Sequence, residues 1–86
     1  ADLYSLGCLL YACLTGQPPF AGLSGLRLVI AHMETPPPPI RPRLPVRAET
    51  EAFIMKLLAK DKVDRYPDAL TANQVARDLY RSAPTN

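Results

Sequence analysis

Residues 3 to 15 read Leu-Tyr-Ser-Leu-Gly-Cys-Leu-Leu-Tyr-Ala-Cys-Leu-Thr, apolar at positions 3, 4 and 6 and at every position from 8 to 14. At about 100° per residue those positions wrap the whole circumference of a helix and leave no face for water. Such a helix belongs in a membrane or at the centre of a larger protein, and this stretch is well short of the roughly 20 residues a span requires. The first helix is therefore expected to be a central core helix. Asp2 stands at the N-cap position, Gly16 where a left-handed residue closes a helix, and Gln17-Pro18-Pro19 forbids continuation. Phe20 is then free to plug a neighbouring pocket.

A chain of 86 residues makes at most one small domain and buries only a modest part of its surface. The apolar helix is thus expected to need surroundings that the chain does not contain. A start at Ala1, with no Met, just ahead of that helix points the same way, to a segment of something longer that is not a complete enzyme by itself. The chain is 48% hydrophobic and 21% charged with a net charge of +2, an ordinary globular balance. Its Lys and Arg residues run from Arg27 to Arg81, mixed with acids, and form no basic stripe, so no nucleic-acid partner is expected. Cys8 and Cys13 lie five positions apart on one helix, about 140° around it, and cannot bridge to each other. They read as buried, reduced thiols, and the lone His32 adds no ligand set for a metal. Neither a signal peptide nor a membrane span is visible.

Further along, Ser24 is placed to cap a helix over 25–34 whose Leu26, Val29, Ile30 and Met33 form one apolar stripe, the pattern of an amphipathic surface helix. From Thr35 to Pro45, six of eleven residues are proline, which predicts a stiff extended strap. A third helix is expected over 48–60, burying Ala52, Phe53, Leu57 and Leu58, with Glu49 and Glu51 at its positive end and Lys60 at its negative one. After a polar loop over 61–67, the last helix begins either at Asp68 as N-cap or at Thr71 with Gln74 as a capping box. Ala72, Val75, Ala76 and Leu79 make its inner stripe. With no alternating strand pattern the fold class is all-α, residues 1–82 forming the folded part and 83–86 a tail or the start of a linker.

No catalytic, cofactor-binding or metal-ligating set can be written from these residues. The glycines at 7, 16, 22 and 25 fit neither common phosphate-cradling pattern. His32, between Ala31 and Met33, has no nucleophile beside it and reads as a solvated side chain. Asp61 and Asp64 are followed by no further carboxylates at calcium-loop spacing.

An ordered series of residues carries more information: Asp2-x-x-Ser5-Leu6-Gly7, then Tyr11-x-x-Leu14-Thr15-Gly16-x-Pro18-Pro19-Phe20, then Leu57-Leu58-Ala59-Lys60-Asp61, then Arg65-Tyr66. This series resembles the C-terminal part of a eukaryotic-like protein kinase domain. His32-Met33-Glu34 ahead of the proline strap looks like bacterial serine/threonine kinases. The resemblance implies that the four helices, 2–16, 25–34, 48–60 and 69–81, belong to the large, mostly helical lobe of an α+β fold, the first enclosed by the rest of that lobe. It also implies that Asp2 supports the catalytic loop through its backbone. Arg65 would pair with a Glu of an Ala-Pro-Glu motif upstream of Asp2; without that partner its charge is expected to reach water or an acid such as Asp64. Lys62, where such kinases usually carry Pro, and Arg47, near the N-cap of the third helix, depart from the pattern.

The function so implied is transfer of the ATP γ-phosphate to protein Ser/Thr hydroxyls, with ATP and Mg²⁺ as cofactors of the intact domain. Its partners would be protein substrates and the remainder of the kinase domain, and its place cytoplasmic. The segment itself would be a scaffold, inactive and self-associating when isolated. Two alternatives stand beside it: a non-catalytic helical interaction module, whose first helix binds a partner and whose Pro36 to Pro39 run docks in an aromatic groove, and a pseudokinase remnant.

Overall fold

The computed structural model describes residues 3–41 and 46–81. Its elements in chain order are α1 (Leu3–Thr15), α2 (Gly25–Glu34), α3 (Ala48–Leu57), a short 3₁₀ turn (Lys62–Asp64) and α4 (Ala69–Arg81). There is no strand among the described residues.

The centre of the fold is α3. Its Ile54 and Leu57, and Leu58 just past its end, are at most 2% exposed, α1 packs along one side and α4 along another. The α1 crossing is close because Gly7 offers no side chain there: a β-carbon on Gly7 would come within 2.9 Å of Leu57 Cβ and 3.1 Å of Leu58 Cδ2. Phe53 and Tyr11 complete the core, together with Ala72 of the α4 inner stripe and Ile40 of the strap. The molecule measures 18 Å in its thinnest direction. With helices about 10–12 Å across, that leaves room for two layers and none for a helix enclosed on every side. Half of α1 is accordingly uncovered: Leu3, Tyr4, Cys8, Leu10, Tyr11 and Leu14 pack inward, while Leu9 is 61% exposed and Leu6 and Cys13 are also exposed. The expectation that both thiols are buried is thus corrected for Cys13, which lies on the uncovered face.

Helix ends follow local chemistry. Gly16 takes φ 86° and its N–H donates to Ala12 O at 2.8 Å, closing α1 as a left-handed glycine does. At α4 the first of the two possible starts is used, since Thr71 N–H donates to Asp68 Oδ1 at 2.7 Å. That bond holds the Asp68 carboxyl below the usual carboxylate range. The helix over 48–60 proves shorter than its pattern: α3 ends at Leu57, and Ala59 N–H reaches back only to Lys56 O. Ala52 lies on its exposed side and Ile54 on its buried side, a rotation that puts the larger side chain in the core. Arg47 is the N-cap by position but makes no side-chain cap; its Nη2 donates instead to Leu79 O at 2.7 Å, joining the start of α3 to α4.

The stripe on α2 faces outward. Leu26 is 73%, Val29 53%, Ile30 45% and Met33 68% exposed. The buried residue is Ala31, and α2 forms no extended interface with another helix. The strap is pinned to α1 by the Tyr11 hydroxyl, which donates to Pro38 O at 3.0 Å.

Burial raises the phenols of Tyr11 and Tyr66 above the ordinary tyrosine range. Above about pH 10 the unfolded chain loses these protons while the folded chain keeps them. The folded state then binds more protons, so stability falls as pH rises. Urea midpoints between pH 8 and pH 11 are expected to drop, and Tyr11→Phe to flatten the drop while costing about 1 kcal/mol at neutral pH for the lost bond. An unchanged profile in Tyr11→Phe would refute the assignment.

Candidate functional site

Arg65, expected from sequence to matter, sits just after the 3₁₀ turn. The backbone of that turn is shaped locally: Asp61 caps it, accepting from Val63 N–H at 3.1 Å, and Arg65 N–H closes it on Lys62 O. Its guanidinium then folds back toward the end of α3. Nε donates to Ala59 O at 2.7 Å and Nη2 to Lys60 O at 3.1 Å, both carbonyls freed where α3 stops. Of the two outcomes expected for its charge, water or an acid such as Asp64, the acid is not taken: the side chain is half-buried and spends two of its nitrogens on α3-terminal carbonyls. Both ion pairs among the described residues, Arg47–Glu49 and Arg81–Asp78, lie elsewhere. The guanidinium carbon also stands 5.1 Å from the centre of the Tyr4 ring, a cation–π contact that ties it to the start of α1.

Beside Arg65 opens a cleft of about 870 Å³ lined by Leu3 and by residues 62, 63 and 65–69. Among the described residues Nη1 of Arg65 has no hydrogen-bond partner. A planar cation already fixed on two of its three nitrogens, at the wall of a cleft, is suited to a carboxylate approaching from the open side.

A second cation stands next to it. Lys60 Nζ donates to Ala31 O at 2.9 Å and His32 O at 3.1 Å, satisfying carbonyls at the C-terminal end of α2. It lies 4.8 Å from the Phe20 ring centre and 5.7 Å from that of Tyr4. Burial pulls this ammonium below the usual lysine range; Cys8 opposes that pull and Arg65 adds to it. By its pattern Lys60 stands at the negative end of its own helix, whereas in the fold it serves the end of α2.

His32 is likewise not the solvated side chain its neighbours implied. It is half-buried, shares a 2.7 Å hydrogen bond between Nδ1 and the Tyr4 hydroxyl, and meets the Tyr4 and Phe20 rings edge-on at 5.6 Å and 5.0 Å. Tyr4, Phe20, His32, Lys60 and Arg65 thus form one cluster that joins α1, α2 and the end of α3. No spacing rule connects five residues spread over sixty positions; only the proline-blocked turn that buries Phe20 hinted at it. Asp2, the other residue singled out from sequence, lies outside the described residues, as do 83–86.

Phosphoryl transfer needs metal ions and a phosphate cradle. Among the described residues no three His, Cys, Asp or Glu side chains stand close enough to hold a metal ion, and the sequence has no glycine-rich cradle. Nor is any helix among the described residues long and apolar enough to cross a membrane.

No family model matches the chain. Among curated proteins it is 44% identical over 82 residues to the serine/threonine-protein kinase PknB of Mycolicibacterium smegmatis, and 42% identical over 82 residues to PknB of Mycobacterium tuberculosis. The match covers 94% of the chain and 13% of each of these relatives. It is also 41% identical over 87 residues to PknJ of Mycobacterium tuberculosis, covering 96% of the chain and 15% of that protein. The chain thus spans about an eighth to a seventh of the length of these relatives. Helical throughout its described elements, matched almost end to end at such identity and carrying the kinase-like residue series in order, the chain corresponds to a segment of serine/threonine-protein kinases, consistent with the helical lobe of their catalytic domain.

Proposed function

We propose that residues 1–82 are the C-terminal helical part of the large lobe of a serine/threonine protein kinase, and 83–86 a tail or linker start. In the intact domain, acting in the cytoplasm with ATP and Mg²⁺, the γ-phosphate passes to Ser/Thr hydroxyls of protein substrates. This segment is the scaffold beneath that chemistry and the surface beside the substrate. Asp2 supports the catalytic loop, and Arg65 holds a glutamate of an upstream segment in the cleft at Leu3. The observation that carries the reading is the state of Arg65: fixed by Ala59 O and Lys60 O, at the wall of a cleft, within a chain 44% identical to a kinase. Cut off from its surroundings, the uncovered apolar side of α1 would make the chain associate with itself.

A chimera tests this. The matching segment of the Mycolicibacterium smegmatis kinase is replaced by residues 1–86 and phosphate transfer to a Ser/Thr protein substrate is measured. The chimera is expected to be active. Arg65→Ala should lower its rate about a hundredfold, the scale on which a small misplacement of catalytic groups acts. Arg65→Lys should recover only part, because an ammonium lacks the planar fork. A chimera that melts cooperatively yet transfers no phosphate, or one indifferent to Arg65→Ala, would sink the proposal.

A further inference from the structure

The proline strap is the part of this molecule that the kinase reading leaves without a task. Thr35 is extended, at φ −94° and ψ 126°. Each of residues 35–38 precedes a proline and is thereby held to the extended region, while the rings of 36–39 fix φ near −65°. The result is a left-handed polyproline helix with three residues per turn. Its burial repeats with that period. Pro37 is half-buried and Ile40 is buried in the core, so one edge, 37/40, faces the protein. Pro36 and Pro39 share a second edge, Pro38 and Arg41 the third, and all four are exposed.

We infer that this strap is a docking surface for a protein domain that reads polyproline helices through an aromatic-lined groove with an acidic residue at one end, as Src-homology-3 domains do. Such grooves take a proline helix by two of its three edges, and the two left free here carry Pro36-x-x-Pro39-x-Arg41 in one run. The exposed Arg41 guanidinium, one edge over from Pro39, supplies the charge that an acid on the partner's rim would meet. The usual cost of ordering a proline-rich peptide is already met. Ile40 is sunk in the core and Tyr11 Oη holds Pro38 O, so the ligand is preorganised as part of a folded surface rather than as a free linker. A cleft of about 310 Å³ runs alongside, between Pro38, Pro39 and Arg41 on one side and Gln17, Pro18 and Ala21 on the other, which gives a partner's loop room beside the strap. This inference is independent of the phosphoryl-transfer reading.

The test uses the protein and an isolated Src-homology-3 domain that prefers the Pro-x-x-Pro-x-Arg order. The protein has no tryptophan, so the groove tryptophan of the domain reports docking by its fluorescence. Saturable quenching is expected. Pro36→Ala with Pro39→Ala, and separately Arg41→Glu, should each raise Kd at least about tenfold, equivalent to about 1.4 kcal/mol. Pro37→Ala, on the inward edge, should leave Kd within about twofold. Arg41 is exposed and its substitution leaves the core intact, so that arm stands even if the proline variants unfold. Absence of quenching at millimolar protein, or quenching indifferent to Arg41→Glu, overturns the inference. Equal loss in Pro37→Ala and in the double variant would do the same, because it would make the effect one of stiffness and not of the edge presented.

Discussion

Leu57→Ala is expected to lower the unfolding free energy of the protein by about 4 kcal/mol, near the top of the 2–5 kcal/mol range for such substitutions. Leu57 is wholly inaccessible and sits where α1 comes closest to α3. How much a truncation costs depends on whether neighbours can move into the space. Here they have little freedom to do so: the backbone at Gly7 runs so close that a β-carbon there would lie 2.9 Å from the Leu57 β-carbon, which the substitution leaves in place. A domain of this size has only about 4–13 kcal/mol in all, so one such cavity consumes much of its stability. Urea-driven unfolding measures the shift, with the slope expected to stay constant. Ala52→Ser serves as the control. The sequence pattern places Ala52 inside, the structure leaves it exposed, and a change within about 0.5 kcal/mol is expected. A Leu57→Ala cost below that of Ala52→Ser would refute the packing described.

Gly7→Val is expected to be comparably damaging, for the opposite reason. Replacing a helical glycine gains something locally, up to about 1 kcal/mol with alanine and less with the β-branched valine. Against this stands a β-carbon 2.9 Å from Leu57 Cβ, well inside the 3.5–4.0 Å at which carbon atoms attract. Leu57 Cβ is not a flexible tip, so α1 and α3 must separate, and overpacking of this kind costs about 1–3 kcal/mol or more. Alanine should therefore come out near neutral to mildly destabilising and valine clearly destabilising, by about 3 kcal/mol. Leu57→Ala should not rescue Gly7→Val, since the offending β-carbon remains. Leu58→Ala should relieve part of the strain, because its Cγ and Cδ2 are the next contacts, at 3.2 Å and 3.1 Å. Melting of the single and paired variants distinguishes the two cases, and rescue by Leu57→Ala would show that the helices cross elsewhere.

Much of the site was readable in part. Arg65 stood out by its place in the residue series, and its need for a partner followed from charge burial. Its actual partners, Ala59 O and Lys60 O, were hidden because they exist only where α3 stops, three residues before its pattern does. Lys60 and His32 are hidden for a related reason: neighbours in sequence point each to its own helix or to solvent, whereas Lys60 reaches the end of α2 and His32 reaches Tyr4 of α1. The outward turn of the α2 stripe was equally invisible, since periodicity gives a stripe but not what it meets.

By itself the sequence determined the four helices, the Gly16 closure, the Asp68 cap as one of two choices and the extended strap. These rest on backbone sterics and hydrogen bonds within a few residues, which act the same way wherever the segment lies. It also determined that α1 has more apolar surface than this chain can cover. The tertiary structure decided which half of α1 is covered, which edge of the strap is sunk, and which carbonyls hold Arg65 and Lys60. Those outcomes depend on contacts between residues tens of positions apart, whose free energy appears only once α1, α3 and α4 have closed on one core.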